Sequence, residues 1–422
     1  MFENSLSFAN TLDSQDKLAY LRDRFCIPKQ DGKEIVYLCG NSLGLQPKSA
    51  RAYFMQEIED WANWGVEGHF HAKHPWFSYQ DWFSKPLANL IGAKPSEVVA
   101  MNNLTVNLHL LLVSFYKPIG KRTKIIFEST AFPSDRYALE SQVRFHGLDP
   151  STCLVELYPD DNAQISTHSI LSKIDEIGEE LALVMLGGVN YYSGQYFDLE
   201  GITRKAHEVG AFAGFDLAHA MGNIPMKLNR WNVDFACWCS YKYLNSGPGS
   251  VAGIFVHEKY GDGTGLDRFH GWWGNNPETR FQMGKDFHPA QGAAGWQLSN
   301  APVFNMIAHR ASLELFEEVG LLALREKSLF LTGFLEFLLL DINKNHKAEI
   351  IEILTPSNPN ERGCQLSLRI SRNGKGLFES MVKEGFLPDW REPDVLRISP
   401  VPMYNTFKDV WETANFIKQY FA

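Results

Sequence analysis

Val233-Asp-Phe-Ala-Cys-Trp-Cys-Ser-Tyr-Lys-Tyr-Leu-Asn245 is the stretch that decides the reading of this chain. Val233–Trp238 is an almost unbroken apolar run of strand length. It gives way at once to polar residues and a lysine, Lys242. Similar runs stand at Lys124-Ile-Ile-Phe127, Leu181-Ala-Leu-Val-Met-Leu186, Ala211-Phe-Ala-Gly-Phe215 and Val251-Ala-Gly-Ile-Phe-Val256. Short apolar runs bounded by Gly, Pro, Asp or Asn suit strands buried on both faces. Helical patterns lie between them, as at Gln164–Glu180 and Ile202–Gly210. Strand–helix alternation predicts an α/β fold whose mostly parallel sheet is covered by helices.

The texture changes after Asn300. Val303–Glu318 and Leu321–Leu340 read as long amphipathic helices. Two alternating strands follow, Cys364–Ile370 and Val395–Ser399, and a last helix spans Thr406–Phe421. The expected division is an N-terminal segment, 1–45, packing on the small domain; a large domain, 46–300; and a small α+β domain, 301–422.

The 422 residues carry a formal net charge of −9 and no Lys/Arg-rich run, which argues against a general polyanion binder. An apolar fraction of 45% is that of an ordinary globular protein, and the length supports a large core without staples. The six cysteines include no C-x-x-C pair, so zinc and redox motifs are not indicated. The first residues lack the order of a signal peptide, and no apolar stretch reaches membrane-spanning length. The chain reads as cytoplasmic and soluble.

Ligands of such sheets sit outside the carboxyl ends of the strands. Here those ends carry Phe215-Asp216-Leu-Ala-His219, Ser240-Tyr241-Lys242 and Phe132-Pro-Ser-Asp135. Taken alone, Lys242 reads as an exposed lysine past a strand, and Asp216 as a helix cap. Together they are the pair a pyridoxal-phosphate site requires: a Schiff-base lysine, and a carboxylate against the pyridinium nitrogen. Asn102-Asn103-Leu104-Thr105 precedes an apolar helix and offers amides to a phosphate, or a plain N-cap. His69, His71 and His74 lack an acidic or cysteine partner nearby, so no metal is expected. Trp272 and Trp273, flanked by Gly271 and Gly274, are costly to expose on a loop; a site, a subunit interface or plain core would each cover them.

The chain resembles kynureninases, pyridoxal-phosphate enzymes of the aspartate-aminotransferase fold type (fold type I), from about Leu38 to the C-terminus. The matching segments are Cys39-Gly-Asn-Ser-Leu-Gly-Leu-Gln-Pro47, Asn103-Leu-Thr-Val-Asn-Leu-His109, Phe132-Pro-Ser-Asp135, Gly214-Phe-Asp-Leu-Ala-His-Ala220, Asp234–Asn245 and Pro400-Val-Pro-Met-Tyr404. The resemblance implies that Lys242 carries the cofactor and that Asp216 pairs with the pyridinium, with Asp135 and His219 nearby. Phe132 would stack on the ring, followed by Pro133 and Ser134. Leu104, Thr105 and Tyr241 would hold the phosphate, and Tyr241 would also serve as an acid/base group. Trp272 and Asn300 would come from a partner subunit, which implies a homodimer with shared sites. Arg397 would grip the substrate carboxylate. His69, Trp273, Ser299 and Asn300 would face the substrate, and His69 and Asn300 would suit the extra hydroxyl of 3-hydroxykynurenine, as in animal-type members. The implied reaction is hydrolytic Cβ–Cγ cleavage of kynurenine or 3-hydroxykynurenine, in tryptophan catabolism and NAD biosynthesis. One departure is Gly187, where similar members carry a side-chain hydroxyl.

Desulfurases and aminotransferases share the fold type. A desulfurase needs a reactive cysteine on a mobile loop, whereas Cys364 opens an alternating strand. A non-catalytic scaffold would have lost Lys242 or Asp216, and both are present.

Overall fold

The computed structural model describes residues 2–262, 265–344 and 349–422. Its central sheet has seven strands: Val98–Ala100 (β1), Lys124–Glu128 (β2), Leu154–Leu157 (β3), Leu181–Gly187 (β4), Phe212–Asp216 (β5), Phe235–Trp238 (β6) and Gly253–Val256 (β7). They lie in the order β3-β2-β4-β5-β6-β7-β1. The β3/β2, β2/β4, β4/β5 and β5/β6 pairs are parallel. β7 runs antiparallel to both of its neighbours. The sheet is therefore parallel but for one reversed strand.

Burial on both faces explains the continuous apolar runs. In β4 the side chains of Val184 and Leu186 enter one core cluster while Leu183 and Met185 enter the other. β1 and β3 escape the sequence pattern because they are only three and four residues long. Caps trim the helices. The Gln164–Glu180 pattern yields the helix Thr167–Ile177, begun by the Ser166 side chain accepting from the Ser169 N–H and ended at Gly178, φ 53°. The Ile202–Gly210 pattern starts earlier, at Leu199, because Asp198 accepts from the Gly201 N–H at 3.0 Å.

The C-terminal part carries a second, antiparallel sheet of Ile351–Ile353 (β8), Leu366–Ile370 (β9), Asp389–Arg391 (β10) and Val395–Ile398 (β11), in the order β8-β9-β11-β10. The helices Val303–Val319, Leu321–Lys344 and Phe407–Phe421 accompany it. The N-terminal helix Leu6–Gln15 packs on Phe407–Phe421, and Ala9 joins the core of this part. Val36–Tyr37 adds a short parallel pairing to Phe386–Leu387. Among the described residues no helix is long and apolar enough to cross a membrane.

Candidate active site

The sheet register brings the chemistry together. Asp216, last in β5, lies opposite Gly187 of β4 on one side and Cys237 of β6 on the other. Glu128 closes β2 one strand further along. The turn after β6 carries Tyr241 and Lys242 to the same edge. These strand ends open a cavity of about 400 Å³. Asp216, His219, Tyr241 and Lys242 line it, as do Leu104, Thr105, Phe132, Ser134 and Asp135 from two helix starts. Pro133 opens the helix Pro133–Phe145 between them, outside the cavity wall.

The Lys242 turn is braced from the N-terminal segment. The Gly44 N–H donates to the Tyr241 carbonyl at 2.8 Å. A β-carbon on Gly44 would lie 2.3 Å from the Lys242 carbonyl oxygen, so the close approach requires glycine.

Lys242 Nζ stands 2.9 Å from His219 Nε2. Burial, then the Lys242 charge, hold the His219 imidazole well below its ordinary range. His219 is thus neutral, and the Nε2 that meets the ammonium is the acceptor. Asp216 Oδ1 accepts from the Ala218 N–H at 2.7 Å. Burial raises the Asp216 carboxyl, and the Lys242 charge opposes this. Burial and the neighbouring Asp216 push Asp135 well up, so of this pair Asp135 holds the proton. Glu128 is pushed up to about 7, chiefly by burial, although its Oε2 accepts from the Gly187 N–H at 3.0 Å.

The floor of the cavity therefore gathers three buried carboxyls around one lysine. Asp135 Oδ1 and His219 Nδ1 are buried there without a partner. A pyridinium would supply the missing cation and donor, so the residues fit pyridoxal phosphate. At the other end Asn103, the N-cap of the helix Leu104–Phe115, makes no side-chain capping bond. The leading amides and the Thr105 hydroxyl are left for a phosphate. Phe132 is 46% exposed and flanks the cavity as a stacking face.

Other residues singled out in the sequence lie elsewhere. Arg397 is fully buried, held by Asp389 and the Tyr191 carbonyl, and does not line the cavity; Arg391 does. His69 and Asn300 share a separate cleft with Trp61 and Trp76. Ser299 and Asn300 also border a cavity beside Asn102 and Asn103. Trp272 is 48% exposed, with its Nε1 donating to the Arg280 carbonyl at 3.1 Å; Trp273 is buried beneath the Arg280 guanidinium. Five cavity residues had no role in the sequence reading: Asn41, Ser42, Glu128, Tyr191 and Arg391. Glu128 had a signal, as a charged residue closing a buried apolar strand. Asn41 and Ser42 lay inside a quoted segment.

Cys364 is buried, its Sγ lies 3.4 Å from Ser328 Oγ, and burial pushes its thiol up to about 11. It is no nucleophile in this setting.

A seven-stranded sheet edge holding a lysine, a facing aspartate and a phosphate-ready helix start defines a fold-type-I pyridoxal-phosphate enzyme. The aminotransferase class-V family model matches residues 36–350, and the kynureninase C-terminal domain model matches residues 324–417. The kynureninase of Christiangramia forsetii is 52% identical over 419 residues, covering 99% of this chain and 98% of that protein. The kynureninase of Flavobacterium psychrophilum is 52% identical over 420 residues, covering 99% of each. A cysteine desulfurase structure from Escherichia coli superposes with a TM-score of 0.77 at 16% identity, covering 96% of this chain and 98% of that one, a likeness of fold alone. The chain belongs to the kynureninase family. It is a pyridoxal-phosphate-dependent hydrolase acting on a carbon–carbon bond.

Proposed function

We propose that this chain cleaves the Cβ–Cγ bond of L-kynurenine or 3-hydroxy-L-kynurenine with water, yielding L-alanine and anthranilate or 3-hydroxyanthranilate. Family membership supplies the reaction. The observation that carries it onto this chain is the convergence of Lys242, His219, Asp216 and Asp135 in one buried cavity.

Bound pyridoxal phosphate supplies an electron sink for charge left on the substrate's Cα. Asp216 keeps that sink strong by pairing with the ring nitrogen, and Asp135 and His219 offer their unpartnered atoms beside it. Phe132 positions the ring from one face. Leu104, Thr105 and Tyr241 hold the phosphate. Lys242 carries the cofactor and, once freed by the substrate amine, takes the α-proton through Nζ. Water adds to the ketone carbon, the Cβ–Cγ bond breaks, and the aryl part leaves as a carboxylic acid. Cβ then takes a proton. Burial pushes the Tyr241 phenol above its ordinary value, so Tyr241 holds its proton and serves as that donor. Arg397 and its neighbour Arg391 take the substrate carboxylate.

His69, Trp272, Trp273, Ser299 and Asn300 stand outside the Lys242 cavity of their own chain. We assign them to the site of a second copy in a homodimer, His69 and Asn300 facing the aryl hydroxyl of 3-hydroxykynurenine. The role follows in tryptophan catabolism and NAD biosynthesis, in the cytoplasm. Purified chain loaded with pyridoxal phosphate is expected to release L-alanine and aryl acid in equal amounts from both substrates, with kcat/KM higher for the hydroxylated one. Loss of neither substrate would sink the reaction; a ratio favouring kynurenine would remove only the His69/Asn300 assignment.

A further inference from the structure

β10 is the outer strand of the small sheet, paired on one side only. Asp389 stands opposite Arg397 across that pairing, and Arg391, two residues on, faces the same way. Asp389 Oδ2 gathers three donors: Ser42 Oγ at 2.9 Å, Arg391 Nη2 at 3.2 Å and Arg397 Nη2. Arg397 spends Nη1 on the Tyr191 carbonyl, at 2.6 Å. Its guanidinium has no place in the cavity wall, although Ser42 and Arg391 do. Arg391 Nε is buried without a partner.

Two arginines at the rim of the site are thus joined by a carboxylate that belongs to the chain itself. A ligand carboxylate reaching Arg397 meets Ser42, Arg391 and Asp389 first. One carboxylate replacing another on a buried arginine leaves the local charge balanced, whereas adding a second anion beside Asp389 does not. We propose that Asp389 is an internal competitor: its carboxylate and the α-carboxylate of an amino-acid ligand alternate on the Arg391–Arg397 pair. Arg391, through its unpartnered Nε, makes the first contact. The outer position of β10 leaves room for the exchange. Amines without a carboxylate leave Asp389 where it is, so the exchange selects for α-amino acids. Asp389 is a positioning residue in this scheme, and Arg391 a binding residue.

The inference rests on the amino-acid substrate proposed above. The test uses L-alanine and L-alaninol, which lacks the carboxylate, as inhibitors of kynurenine hydrolysis by the cofactor-loaded enzyme. In Asp389→Asn the inhibition constant for L-alanine is expected to fall about tenfold, while that for L-alaninol stays unchanged. In Arg391→Gln the constant for L-alanine rises and that for L-alaninol again stays. A rise for L-alanine in Asp389→Asn, no change, or parallel shifts for both ligands would overturn the proposal, because Asp389 would then only orient the arginines or support the fold. Should Asp389→Asn fail to fold, a crystal of the wild-type enzyme with L-alanine decides: Asp389 off Arg397 supports the exchange, and Asp389 still on Arg397 beside a bound carboxylate overturns it. If the wild type hydrolyses no kynurenine, the substrate reading has failed on its own. The same two ligands are then titrated by the change in cofactor absorbance.

Discussion

The strand-end cavity and the aromatic face around His69 and Trp272 differ in how they are completed. In the first, residues from four segments of one chain converge, and each is fixed by the sheet: Glu128, Asp216 and Lys242 follow strands in register. In the second, His69, Trp272 and Asn300 are set on loops and short helices that open away from that cavity. Exposed Trp61, Trp64, Phe70 and Phe281 surround them. Large apolar patches of this kind are usual where another molecule covers the surface. A parallel sheet can assemble a cofactor site within one chain, because its strand ends all point to one edge. A substrate site that also needs walls above that edge must borrow them.

The largest expected effect is at Lys242. Lys242→Ala should abolish turnover and the absorbance of the lysine-linked cofactor, because no other amine stands within reach; a loss below about 10³-fold would break the assignment. Asp216→Asn should keep the cavity's shape but weaken the electron sink, costing about 10²–10³-fold in kcat, read by steady-state kinetics. The borrowed wall is tested by mixing. His69→Ala and Lys242→Ala chains, each crippled alone, should together recover about a quarter of wild-type activity if each site draws on two copies. No recovery after exchange would return His69 to a single-chain role.

The smallest effect concerns Glu128. Its carboxyl is raised from 4.5 to about 7 in the folded chain, so the folded state holds a proton that the unfolded state releases. The stability this contributes is present in full below the unfolded value and is lost as pH rises through about 7. Without cofactor, Glu128→Gln should therefore flatten the fall in melting temperature between pH 5 and pH 8, by a few degrees at about the upper limit. An unchanged pH profile would mean that the neighbouring Asp135 and Asp216 dominate the titration.

Much of the fold was legible. Five of the seven central strands follow from apolar runs, because strands buried on both faces need no polar alternation. Val98–Ala100 and Leu154–Leu157 were not, being too short to show a period. Of the cavity residues, Lys242, Asp216, His219 and Phe132 stood out because each follows a strand or opens a helix. Arg391 did not, since nothing in Asp389-Trp-Arg391 marks a two-residue outer-strand spacing as part of a distant site.

By itself, then, the sequence determined the fold class, the cofactor lysine and its facing aspartate, because strand periodicity and strand-end chemistry are local properties. Tertiary structure alone decided which groups share a charge environment: that Asp135 holds the proton beside Asp216, that Asp389 occupies Arg397, and that His69 and Trp272 stand apart from Lys242. Those are matters of distance and burial between segments remote along the chain, and electrostatic interaction depends on separation in space rather than on position in sequence.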